Sequence, residues 1–257
     1  MSHIADILPL LREVNDLKRV RVASREGSLA EQLFMRAWGR LARGEPLKDV
    51  AASETARAVV AARLGGIDAE VLSEAGLNDE EIGSIFERAF DSITTGLNSE
   101  FAEQLKAAIN PESGFEPNDT ELPQFVLLLA RQPRVRTKPA GAVRMTESHA
   151  EHCGVVAVNS YLVASSYGAA PERAFFMGLC HNVHYAFLPD AGATGEQLLG
   201  DKLTEVVEAC RGRALAQLPA WLQHEARASL ESLSRGDTTE SRAFQTGDSA
   251  DDTLEQN

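Results

Sequence analysis

The chain has 257 residues, of which 44% are hydrophobic and 25% charged. That is enough for a sizeable buried core in one large domain or two smaller ones. A formal net charge of −13 repels a phosphate backbone, so nucleic acid is excluded as a partner, while a small phosphorylated substrate stays open. No apolar run reaches the length of a membrane span. The amphipathic, acid-bearing start MSHIADILPLLREVNDLKRV lacks the basic head and apolar centre of a secretory signal. The expectation is a cytoplasmic protein with no membrane partner.

Aromatics are only 6% and Ala and Leu are abundant, which favours helix over strand. Ile4, Ile7, Leu8, Leu11, Val14 and Leu17 form a first helical stripe, and Leu29, Leu33, Phe34, Ala37, Trp38 and Leu41 a second. The Gly65-Gly66 pair reads as a helix stop; no strand precedes it, so it is not a nucleotide loop. Asn78 is a good N-cap with Glu81 three residues on, and Ile82, Ile85, Phe86, Ala89, Phe90 and Ile93 follow on one face. Residues 1–110 carry no recognisable chemistry. They are expected to act as a lid, as extra core or as the surface of a homo-oligomer.

The segment 110–123, NPESGFEPNDTELP, is rich in proline, asparagine and acids and marks a boundary. Residues 111–145 are expected to form a linker, a short helix from Leu122 to Arg131 and a basic loop, RQPRVRTKPAGAVR. In so acidic a chain Arg131, Arg134, Arg136, Lys138 and Arg144 stand out. They read as a solvated loop balancing nearby acids or as a clamp for phosphate or carboxylate. No persuasive strand is present.

From Thr146 to the end the pattern is helical again. His149 and His152 are spaced i, i+3, as are His181 and His184, so four of six histidines fall in one short stretch. Two imidazoles and a late acid, His152, His181 and Asp248, are what a divalent metal wants. Cys153 and Cys180 adjoin the two histidines and, with Cys210, are far apart and odd in number. They read as reduced, small buried residues. Later helices are expected near Gln197–Cys210, Arg213–Leu233 and Ser241–Leu254, with Pro219 kinking or dividing the second. Glu205 and Glu208 read as solvated, Asp237 and Glu240 as turn or N-cap residues, His3 and His224 as exposed, and Trp38 and Trp221 as core anchors.

Three short stretches carry a resemblance: Glu151-His152-Cys153, Gly178-Leu179-Cys180-His181-Asn182, and Ala243-Phe244 followed by Gly247-Asp248-Ser249-Ala250-Asp251. In order and separation this pattern resembles the HD superfamily of metal-dependent phosphohydrolases, over roughly the last 115 residues. The resemblance implies an all-α helical bundle of HD-domain type, here with an additional N-terminal helical region. It implies a divalent metal (Mn, Fe, Co or Zn) held by His152, His181, Asn182 and Asp248, acting on a small phosphorylated metabolite or nucleotide. His149 becomes an added ligand or a neighbour of the ligands. His184 and Asp190 become contacts to a second metal, leaving group or phosphate, and Arg144 or Lys138 neutralises developing charge. Asn182 departs from the family, which has an aspartate there. A neutral amide oxygen ligates weakly and cannot bridge two cations. Asp251, three residues beyond Asp248, is a substitute ligand on the same helical face. Two alternatives follow: a catalytically degenerate sensor or interaction protein, and an HD-type iron oxygenase recruiting the surplus His149 and His184.

Overall fold

The computed structural model describes residues 4–23, 25–110, 122–137 and 143–254; for 136–137 and 143–146 it gives the backbone path alone. The first helix, α1 (Ile4–Asn15), runs into a 3-10 turn at Asp16–Lys18 and is followed by α2 (Leu29–Ala42), α3 (Leu47–Leu64), α4 (Ala69–Glu74), α5 (Asp79–Asp91) and α6 (Ser99–Lys106). Then come α7 (Gln124–Arg131), the antiparallel hairpin β1 (Pro133–Thr137) and β2 (Val143–Ser148), α8 (His149–Tyr167) and α9 (Pro171–Cys180). After a 3-10 turn at Val183–Ala186 follow α10 (Gly192–Gln197), α11 (Leu203–Leu215), α12 (Ala220–Arg235) and α13 (Thr239–Leu254). The protein is therefore an all-α bundle with one small hairpin. None of the helices is long and apolar enough to cross a membrane among the described residues.

Local chemistry sets the helix ends. Ser28 accepts from Glu31 N at the start of α2, and Asn78 and Glu81 complete the expected capping box on α5. Gly65, at φ +59°, closes α3 in a conformation that a side chain resists. Pro219 has no N–H to offer a helix interior, so it divides α11 from α12 rather than kinking one helix.

The bundle is organised around α8. Every residue from His149 to Ala164 is buried, so this helix is a central rod rather than an amphipathic one. Helices α1, α2, α3, α7, α9 and α13 all pack against it. One core therefore joins residues before and after the 110–123 boundary. Trp38 of α2 shows the join: it is fully buried, with its ring 5.0 Å from Phe125 of α7 and 5.8 Å from Phe176 of α9.

Two glycines let helices approach α8 closely. A Cβ on Gly178 would fall 2.5 Å from Ala157 Cα, and one on Gly247 would fall 2.7 Å from Ser160 N. Backbone cannot yield as a side chain can. Gly247→Ala is expected to cost ~1–3 kcal/mol of stability through overpacking, read from the midpoint of urea denaturation. This accounts for the glycine beside Asp248: it seats α13 on α8.

Several expectations need correcting. The basic segment is not all loop: Val135 pairs with Met145 and Arg136 with Arg144, because β-branched residues alternate with long polar ones and the proline sits at the strand start. Trp221 is 43% exposed, on the outer side of α12, and anchors no core. The helix expected near Gln197–Cys210 is α11, displaced to Leu203–Leu215 behind the short α10. His3, Lys138 and residues 111–121 lie outside the described residues, as does the Arg144 side chain.

Candidate metal centre

Three chain segments meet at the start of α8. Ser148 caps that helix by accepting from Glu151 N, while Glu151 accepts from Ser148 N at 2.7 Å. This box fixes the first turn, and with it His149 and His152. His181 stands just past α9, and Asp248 and Asp251 lie one turn apart on α13. One donor atom each from His152, His181 and Asp248 lies within 4.8 Å of the other two, and so does a second set from Glu147, His152 and Asp251.

Hydrogen bonds decide what each imidazole presents. His181 Nδ1 lies 2.8 Å from the carbonyl of Gly178, which can only accept, so Nδ1 carries the proton. His152 Nδ1 lies 2.8 Å from Asp251 Oδ2, buried with its residue fully enclosed. The Arg134 Nη1 3.0 Å away has Glu147 Oε1 to donate to at 2.8 Å, so Nδ1–H of His152 is matched to Asp251. Both Nε2 atoms are then bare acceptors, and they face each other at 3.0 Å. Asp248 Oδ1 is 3.4 Å from His152 Nε2 and is a buried acceptor with no hydrogen-bond partner among the described residues. Three acceptors converge with no donor between them among the described residues. A cation satisfies such a set, and the outer carboxylate and carbonyl that orient the rings are the usual support of histidine ligands.

Protonation does not relieve the crowding. Burial, reinforced by Arg134, holds His152 well below its ordinary range, and burial with His152 beside it does the same to His181. Burial and the neighbouring Asp252 push the Asp248 carboxyl up to about 6.

The second set already has its cation. Lys18, from the turn after α1, places Nζ 2.5 Å from both Glu147 Oε2 and Asp251 Oδ1, and all three side chains are at most 5% exposed. Arg134 adds contacts to Glu147 at 2.8 Å and Asp252 at 3.1 Å. Burial alone would raise the Glu147 carboxyl, yet Lys18 and Arg134 bring it below the ordinary value. The pair Glu147–Asp251 thus carries a fixed ammonium in the position where a second metal would need to stand. Asp251, expected as a substitute ligand, here spans Lys18 and His152 Nδ1 and orients the imidazole.

The remaining candidates form a separate group. His149 is buried and stacks on Tyr185, ring centroids 4.3 Å apart, and His184 packs on the same ring at 4.1 Å. Burial and Arg211 lower His184 to about 4. Asp190 Oδ2 is 3.2 Å from His149 Nε2, close but not aligned as a hydrogen bond. Its oxygens accept from Val135 N at 2.7 Å and Gly192 N at 2.8 Å, so Asp190 pins β1 to the loop before α10. Asn182 follows His181; its backbone carbonyl accepts from Tyr185 N and its backbone N–H faces the Cys153 sulfur. Burial raises both Cys153 and Cys180, which keeps them thiols.

Sequence reasoning missed Lys18 and Glu147 as site residues and read Arg134 as part of a solvated loop or of an anion clamp, where the structure has it holding Glu147 and Asp252. The one available signal was a lysine directly following an apolar stripe, at Leu17-Lys18.

No protein-family description, curated protein or solved structure matches this chain.

Proposed function

We propose that this protein is a metal-dependent phosphohydrolase with a single divalent cation held by His152, His181 and Asp248, acting on a small phosphorylated metabolite or nucleotide. The observation that carries the reading is the convergence of two bare Nε2 atoms 3.0 Å apart on an unpartnered carboxylate oxygen. Resemblance to the HD superfamily supplies the reaction class.

When bound, such a cation lowers the pKa of a coordinated water and so supplies hydroxide at neutral pH to attack phosphorus. The chain's own residues do the rest. Asp251, itself held by Lys18, keeps the His152 proton on Nδ1, and the Gly178 carbonyl does so for His181. Asp248 contributes the one negative charge of the set and is 34% exposed, so a substrate reaches the centre from the α13 side. With Lys18 fixed between Glu147 and Asp251, the centre is mononuclear, in keeping with a neutral Asn182 where a bridging carboxylate would stand.

Protein purified without an affinity tag, stripped with chelator and reloaded separately with Mn, Co, Zn or Fe, tests this. One equivalent of metal and metal-dependent phosphate release from a panel of phosphomonoesters and nucleotides are expected. Absence of metal binding, or binding with no phosphate released from any member, overturns it. Two histidines and one carboxylate are also the donor set of non-haem iron oxygenases. Oxygen consumption by the Fe(II) form in place of phosphate release would select that chemistry.

A further inference from the structure

Helix α1 buries one face and leaves its flank uncovered. Ile7, Leu10, Leu11 and Val14 are buried. Ile4 and Leu8, four residues apart, are only half-buried, and Arg12, four further on, is exposed. On α13, which packs against α1, the facing strip includes Arg242, Thr246, Ser249, Ala250 and Leu254. With Tyr167 at the end of α8, the two strips line a groove of about 520 Å³ whose open surface is mostly apolar. From Arg242 to Leu254 it runs ~18 Å along α13, at ~1.5 Å per residue. None of its lining residues belongs to the His152–His181–Asp248 centre.

Charge singles this groove out. The chain has 38 Asp and Glu against 25 Lys and Arg, yet the groove is lined by two arginines, Arg12 and Arg242, and by no acid. Both arginines are exposed, and neither makes an ion pair or a side-chain hydrogen bond among the described residues. Arg19 and Arg63 nearby are each paired, with Asp16 and Glu13. The groove therefore offers uncompensated positive charge beside apolar surface, against the sign of the whole molecule. Its walls are fixed: Tyr167 Oη and Thr246 Oγ1 lie 2.6 Å apart and tie α8 to α13. Arg242, Gln245, Ser249 and Thr253 are all exposed, so the groove is open along α13. That shape suits a rod lying in it better than a small molecule, which needs enclosure.

We propose that the groove receives an amphipathic helix of a protein partner, apolar on its seated face and acidic along its edges. The apolar face covers Ile4, Leu8, Ala250 and Leu254, as a helix seated between two others does. Carboxylates beside that face meet Arg12 and Arg242. A second copy of this chain fits the charge badly: a two-fold axis through the groove would set both arginines against their own copies. The docking is independent of the metal centre and stands or falls without it.

The test uses the full chain and two fluorescently labelled helical peptides of about four turns, each with a leucine stripe on one face. One carries glutamates beside the leucines, and the other carries lysines in their place. Read by anisotropy, the acidic peptide is expected to bind with a micromolar Kd and the basic one about tenfold more weakly. The comparison is demanding, because a net charge of −13 would by itself draw in the basic peptide. Arg12→Glu with Arg242→Glu, both at exposed positions, should keep the fold by circular dichroism and reverse the order of the two peptides. Leu8→Asn should weaken the acidic peptide without reversing the order. No binding of the acidic peptide at about 1 mM, a wild-type preference for the basic one, or unchanged affinity in the double arginine variant overturns the proposal. A wild-type dimer in sedimentation that the double variant lacks would assign the groove to a second copy and overturn it too. Dodecanoate bound where the acidic peptide is not would do the same in favour of a lipid.

Discussion

Asp248→Ala is expected to abolish metal binding without harming the fold. Asp248 provides the only negative charge among the three converging donors, so its loss leaves two neutral imidazoles and no charge compensation for a divalent cation. The drop in affinity should exceed the ~10–100-fold that follows loss of an orienting partner. Asp251→Asn supplies that smaller value for comparison, because it frees the His152 tautomer while leaving the three donors in place. Stability should move the other way. Asp248 Oδ1 is a buried acceptor without a partner among the described residues, and burial disfavours its charged form. Removing it should leave the metal-free protein as stable as wild type or more so. Titration with Co(II), read by its visible spectrum, and urea denaturation of the stripped protein measure the two effects. An Asp248→Ala protein that keeps its cobalt spectrum would sink the ligand assignment.

Lys18→Met is expected to be among the most damaging single changes. It leaves Glu147 and Asp251, 1% and 0% exposed, facing the space where the ammonium stood. Breaking a buried pair by removing one partner costs ~3–5 kcal/mol, a large part of the ~5–15 kcal/mol that holds a typical domain together. Urea denaturation gives the value. A companion variant carrying Lys18→Met with Glu147→Gln and Asp251→Asn should recover part of the loss, since the uncompensated charges are gone. A Lys18→Met protein within 1 kcal/mol of wild type would show that some other group neutralises the pair.

The contrast between these two positions shows what the sequence could and could not reveal. The convergence of Asp248, His152 and His181 was legible because few residue types can hold a metal and these three stand out by type and order along the chain. The Asn78 cap and the Trp38 anchor were legible for a similar reason: local geometry and residue size limit the choices. Lys18, Glu147 and Arg134 were not. Any charged residue on any helix reads first as solvated, and only folding brings position 18 beside position 251. The hairpin at 133–148 escaped because alternation over a five-residue strand opened by a proline is too short to stand out from a basic loop, while the capping box that ends it and begins α8 acts over three residues. Trp221 misled in the opposite direction: a large aromatic on an amphipathic helix does not have to be on the covered side.

The clasp between Lys18 and Asp251 spans 233 positions of the chain. During synthesis the lysine leaves the ribosome early and waits for both of its carboxylates, the second of which emerges only with α13. His152 therefore has no fixed tautomer in any nascent chain short of that helix. On the proposed metal site, retention of the cation would report that α13 has joined the bundle, since it requires segments far apart in the polypeptide to have found each other.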